Sequence, residues 1–285
     1  MHKSFLHIPS IGSKTENRIW QSGITGWDDF LKNPPDFLSR SKVSLICDHI
    51  RISKDKIACG EPEYFCSGLA SGEHWRIFRE FRDSIAYLDI ETTGLGGPGD
   101  IITTIALYDG NDIYHYVNGK NLEDFVDDIQ NYKMIVSYNG KTFDIPFIER
   151  YFGVSIPNAH LDLRFILHSL GFSGGLKSCE KQLGIGRTGP LADVDGFFAV
   201  ILWRDYKRTG NQKALETLLS YNIEDAVNLE YLMTEAYIRK LLEIPIELES
   251  IKKSSPPENC FSIDPETVKR LKGISTPSFY SISNR

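Results

Sequence analysis

The fold of this chain is written most plainly in residues 86–95, AYLDIETTGL. Ile85, Tyr87, Leu88 and Ile90 form the β-rich apolar run of a buried strand, which Gly94 brings to an end. Asp89 and Glu91 are set into its last turns. Side chains at i and i+2 of a strand share one face, so the two carboxylates stand side by side. Like charges so close raise each other's pKa unless a cation sits between them. The spacing predicts a divalent-metal site with oxygen ligands, of the Mg²⁺ or Mn²⁺ kind. Taken alone, the same stretch reads equally well as an acidic strand end that is merely solvated.

Composition excludes several classes. Of 285 residues, 41% are hydrophobic and 25% charged, which argues against disorder and against a membrane protein. No apolar run approaches spanning length, and MHKSFLHIPS lacks the apolar core of a signal peptide. The five cysteines are scattered and odd in number, as for reduced thiols in a cytoplasmic protein. Cys59 and Cys66 are too widely spaced for a usual zinc pair. The net charge of −6 disfavours a purely electrostatic nucleic-acid binder. A metal-dependent nuclease is not excluded, because its acidic ligands depress the charge that bound ions restore.

Three regions follow from the patterning. Residues 1–83 read as a small, mainly helical N-terminal region. Within it IPSIGSKTE resembles the hairpin of helix-hairpin-helix modules, whose amides bind a phosphate; it reads equally as a helical packing unit. Residues 84–244 run as three strands, helix, strand, helix, strand, then helices. That order predicts an α/β fold with a mixed sheet flanked by helices, since the first two connections are tight turns. Asp144 is the expected N-cap of a helix over 144–152, and Asp193 and Asp195 are expected helix-start acids. Residues 245–285 form a flexible Ser/Pro-rich tail with one short basic helix over 265–271, read as a solvated surface helix capped by Asp264.

Further carboxylates join the first pair. YNGKTFD (138–144) ends a predicted strand and starts a helix, bringing Asp144 and the amide of Asn139. YNIED (221–225) lies in a strongly helical segment, where Tyr221 and Asp225 share a face at i and i+4. HLDL adds Asp162, read as a structural neighbour of the site. Phosphodiester hydrolysis served by two divalent ions about 3.5–4 Å apart needs some four carboxylates from different elements converging on one spot. Asp89, Glu91, Asp144 and Asp225 meet that need. The Tyr221 hydroxyl, with a free pKa near 10, suits orienting a water better than ionising as a base. Lys177, at a predicted helix start, is either a phosphate contact or a solvated lysine.

DIETTGL, NGKTFD and YNIED resemble the three sequence blocks of the DEDD superfamily of 3′–5′ exonucleases, which have an RNase H-like fold. The Tyr-x-x-x-Asp block points to the tyrosine branch. HLDL, GGLKSCEKQLGI (174–185) and FLHIPSIG…W…GITGW resemble, more narrowly, the YprB-type predicted exonucleases. The resemblance implies that Asp89, Glu91, Asp144 and Asp225 bind two metals, that Tyr221 positions the water, and that Thr93 and Asn139 lie near a substrate 3′ end. It implies 3′–5′ hydrolysis of single-stranded or frayed nucleic acid, DNA slightly ahead of RNA because of the hairpin-like segment. A catalytically silent nucleic-acid- or partner-binding module and a structure-specific endonuclease are the competing readings. A protein partner such as a helicase has no support in the sequence.

Overall fold

The structure, a computed structural model, describes residues 1–185, 196–247, 249–251 and 257–274. Asp193 and Asp195 therefore lie outside the described residues. A five-stranded sheet forms the centre, in the order β3-β2-β1-β4-β5. Its strands are β1 (Ile85–Thr92), β2 (Ile102–Tyr108), β3 (Ile113–Val117), β4 (Met134–Ser137) and β5 (Ala159–Asp162). β1–β2 and β2–β3 are antiparallel, whereas β1–β4 and β4–β5 are parallel, giving the expected mixed sheet. The β2–β3 turn closes because Asp109 Oδ1 accepts from the amides of Asn111 and Asp112, both at 2.8 Å.

The period-two pattern of β1 sorts the layers. Ala86, Leu88 and Ile90 face a core containing Phe125, Phe147 and Ile148. Two helices supply it, α6 (Phe125–Asp128) and α7 (Asp144–Phe152). Tyr87 faces the opposite way, as Asp89 and Glu91 must, toward the 30-residue helix Gln212–Leu241. That long helix packs across β1 and β2. Before it come α8 (Leu163–His168), α9 (Leu176–Gln182) and α10 (Gly196–Thr209), so the long helix is α11.

The N-terminal region carries α1 (Ser13–Gln21), α2 (Trp27–Lys32), α3 (Arg40–Ala58), α4 (Pro62–Gly68) and α5 (Trp75–Phe78). Phe5, Trp27, Phe65 and Phe78 share one apolar cluster with Tyr87, Tyr108 and the Leu229–Tyr237 part of α11. Glu16 is buried, accepting from the Phe5 amide at 2.7 Å and pairing with Arg76 at 3.2 Å. Residues 1–12 form turns, so the glycine turn at Gly12 is preceded by no helix.

The reading of Asp144 as N-cap is corrected. Phe143 holds the cap position, and Asp144 is the first helical residue. Its carboxylate hydrogen-bonds with the backbone of Ile90 in β1 as well as with its own. The helix α12 (Pro265–Ile274) has the expected cap, with Thr267 N–H donating to Asp264 Oδ2 at 2.9 Å. It is docked, not solvated all round. Val268 and Leu271 are buried, and Arg270 grips Asp205 of α10 through both terminal guanidinium nitrogens. The segment before it braces α11: Asp264 N–H donates to Thr217 Oγ1 at 3.0 Å, and Asn259 Nδ2 donates to the Ser220 carbonyl at 3.1 Å. Among the described residues no helix is long and apolar enough to cross a membrane.

Candidate active site

Asp89 and Glu91 project from the second half of β1, where the pairing with β2 shifts register between Glu91 and Thr92. Asp225 comes to them from α11. One carboxylate oxygen from each of the three lies within 4.8 Å of the others. Burial and the neighbouring Asp225 hold the Asp89 and Glu91 carboxyls well above the usual carboxylate range. Three hard oxygen donors so placed repel one another when ionised, and a divalent cation between them removes that cost. The donor set therefore fits a metal of the Mg²⁺ or Mn²⁺ kind.

Asp144 stands at the start of α7, 5% exposed. Its charge raises both Asp89 and Glu91, yet it is outside the group that meets within 4.8 Å. Burial lifts its own pKa to about 7, against hydrogen bonding to its own backbone and to that of Ile90. The sequence-predicted quartet is thus three carboxylates in close company and a fourth beside them.

Tyr221 sits one turn before Asp225 on α11 and is buried. The ammonium of Lys177, from the first turn of α9, lies 4.6 Å from the centre of the Tyr221 ring. The charge of Lys177 favours ionisation of Glu91, against burial and the charges of Asp225 and Asp144. Both residues are therefore gathered at the carboxylates.

Thr93 is built into the loop after β1. Its amide donates to the Ile101 carbonyl and its hydroxyl accepts from the Ile101 amide, each at 3.0 Å. Asp100 ties the loop by accepting from the amides of Gly96 and Gly97. Gly94 is required there, since a Cβ at that position would come within 2.4 Å of Asp100 Oδ1.

Asn139 adopts a left-handed conformation, φ 65°, at the tip of the turn after β4. Both oxygens of Asp162 hold this turn, accepting from the amides of Asn139 at 2.7 Å and Lys141 at 3.1 Å. Asp162 also caps α8 through the Arg164 amide. Arg164 Nη1 in turn donates to Asn139 Oδ1 at 2.5 Å.

Two contributors escaped the sequence. Arg164 had no motif to mark it. Asn222 donates Nδ2 to Asp89 Oδ2 at 2.7 Å and to the Asp89 carbonyl at 3.2 Å, tying α11 to β1. Its signal was present within YNIED, where Asn222 and Asp225 are i and i+3 and so share a face.

A family model described as the RNase H superfamily matches residues 86–237. None of the curated proteins matches the chain. A solved structure that resembles it is the family B DNA polymerase from the hyperthermophilic archaeon Pyrobaculum calidifontis, at 18% identity and a TM-score of 0.37. The likeness covers 55% of this chain and 24% of the polymerase, so the chain spans about a quarter of that protein's length.

Proposed function

The chain belongs to the RNase H superfamily, and on that footing we propose that it is a metal-dependent 3′–5′ exonuclease acting on single-stranded or frayed nucleic acid. Family membership supports nuclease activity in general. The observation that carries the narrower reading is the meeting of Asp89, Glu91 and Asp225, with Tyr221 one helical turn away. In this reading residues 84–244 are the exonuclease domain, flanked by the N-terminal region and the tail.

Asp89, Glu91 and Asp225, with Asp144 beside them, are the residues to hold two divalent cations. Bound there, such cations supply Lewis-acid polarisation of a phosphodiester. Tyr221 orients the attacking water through its hydroxyl. Asn222 fixes the Asp89 carboxylate so that it need not reorganise when substrate arrives. Asn139, Thr93 and Lys177 line the approach of the 3′ end. Water adds to phosphorus, the bond to the preceding 3′ oxygen breaks, and that oxygen leaves as a hydroxyl with a proton. The products are a nucleoside 5′-monophosphate and a chain shorter by one.

The test uses a 5′-labelled single-stranded oligonucleotide with Mg²⁺ or Mn²⁺, resolved on a denaturing gel. The expected result is a ladder descending one nucleotide at a time, abolished by EDTA and by Asp89→Ala. Internal cuts of defined position would favour an endonuclease. Undiminished activity in Asp89→Ala would overturn the proposal, and no cleavage with either metal would favour a silent binding module. DNA and RNA versions of the same oligonucleotide decide the substrate class.

A further inference from the structure

Two neighbouring threonines of β2 meet Glu91, and they meet it differently. Thr103 Oγ1 donates to the Glu91 carbonyl at 2.9 Å. Thr104 stands directly opposite Glu91 in the β1–β2 ladder, at the last pair before the register shifts. It is fully buried, and its hydroxyl has no hydrogen-bond partner among the described residues. A hydroxyl taken out of water and left unbonded costs free energy. Valine offers the same β-branched shape to a strand without that cost. The hydroxyl, not the strand, therefore calls for a role.

Its place is fixed by its neighbours. Residues directly opposite in an antiparallel pair point to one face, with Cβ atoms about 4.5–5.5 Å apart. Along this ladder Tyr87 stacks on Tyr108, with ring centres 5.8 Å apart. Ala106, opposite Asp89, packs on Ile223 and Ala226 of α11. On its other side Thr104 pairs with Val117 of β3, which shares a cluster with Leu218 and Tyr221. Thr104 therefore lies on the α11 face, between Glu91 and the part of the core that holds Tyr221.

We infer that Thr104 is a positioning residue for Glu91. Its hydroxyl donates to one carboxylate oxygen and leaves the other turned toward Asp89 and Asp225, where a divalent cation is held. The inference rests on the metal-dependent reading of the site. Asp89 has the corresponding contact already made, since Asn222 Nδ2 donates to its Oδ2 at 2.7 Å. For the Glu91 carboxyl no such donor is engaged among the described residues, and Thr104 is the buried hydroxyl beside it. A ligand carboxylate held by a neutral donor keeps its charge for the cation and loses the freedom to swing away. Outer contacts of this kind are worth about 10–100-fold in metal affinity.

The experiment compares the parent, Thr104→Val and Thr104→Ser as full chains, by calorimetric titration with Mn²⁺ and by thermal melts in EDTA. Thr104→Val is expected to raise the Mn²⁺ concentration at half-saturation about tenfold. In EDTA it is expected to melt about 2–4 °C higher, because an unbonded buried hydroxyl is gone. Thr104→Ser is expected to keep the parent's affinity. Weaker metal binding joined to greater metal-free stability is a pair of shifts that a purely structural threonine does not give. Unchanged affinity in Thr104→Val overturns the inference and leaves the exonuclease reading intact. So does a fall in both affinity and melting temperature, or a Thr104→Ser variant as weak as Thr104→Val. Affinity that depends on the hydroxyl, without cleavage of any oligonucleotide in Mg²⁺ or Mn²⁺, keeps the inference and sinks the exonuclease reading. A parent that binds no Mn²⁺ overturns both.

Discussion

Asn222 of α11 reaches across 133 positions of sequence to hold both the carboxylate and the carbonyl of Asp89, at 2.7 and 3.2 Å. One amide thereby fixes the distance between the strand that carries two of the clustered carboxylates and the helix that carries the third. It also favours the ionised form of Asp89 against burial and the charges of Asp225, Glu91 and Asp144.

Removing that amide should weaken the metal site without deleting a ligand. Asn222→Ala is expected to raise the Mn²⁺ concentration at half-saturation by about tenfold, the order of a lost hydrogen bond to a charged group. Calorimetric titration checks this, and unchanged affinity would show that the contact is incidental.

The carboxylates should also set the pH dependence of the metal-free protein. Asp89, Glu91 and Asp144 have folded pKa values above their unfolded ones, Asp144 reaching about 7. Between pH 4 and 7 the folded state then holds more protons than the unfolded state, so stability falls as pH rises. In EDTA the melting temperature is expected to drop across that window, and Mn²⁺ to restore most at the upper end. Asp89→Asn should raise the metal-free melting temperature at pH 7 by a few degrees, at about 2–4 °C per kcal/mol. A fall in that variant would mean that the cluster is not under repulsion.

Tyr221→Phe separates water orientation from metal binding. Turnover is expected to fall by about ten- to a hundredfold, within the range for a positioned proton-handling group, while the Mn²⁺ isotherm stays within error of the parent. Loss of metal binding would assign the hydroxyl to the ligand set.

The docked tail makes a separate prediction. Hydrogen bonding from Arg270 is the largest influence holding the Asp205 carboxyl below the usual range. Stability from a lowered carboxylate is present above its unfolded pKa and lost as pH falls. Arg270→Ala should therefore cost about 1–2 kcal/mol at pH 7 and less near pH 3. Thermal melts at the two pH values test this, and equal losses would point to packing alone.

What could be read from sequence was what depends on local period. Asp89 and Glu91 share a face because strands repeat every two residues. Tyr221 and Asp225 share one because helices repeat every 3.6. The antiparallel pairs of the mixed sheet followed from the tight turns between the first strands. Contacts across long separations were not legible. The grip of Asn222 on Asp89 needs the docking of α11 on β1, which no local pattern encodes. Asp144 has the composition of a cap, but the chain enters α7 one residue earlier, with Phe143 at the cap position. The pairing of Arg270 with Asp205 spans 65 residues, so a basic helix looked solvated until its partner was placed.

The shared apolar cluster beneath Tyr87 and Tyr108 has a consequence for what counts as a unit of this protein. Kinship is recognisable over residues 86–237, yet the apolar cluster that holds Tyr87 and Tyr108 extends to Phe5, Trp27, Phe65 and Phe78 from outside that segment. At the other boundary, Asn259 and Asp264 hold α11 at Ser220 and Thr217, one and four residues before Tyr221. Inheritance and folding therefore draw different borders on the same chain. A protein trimmed to the inherited segment would keep every clustered carboxylate and lose the scaffolding that keeps them in register.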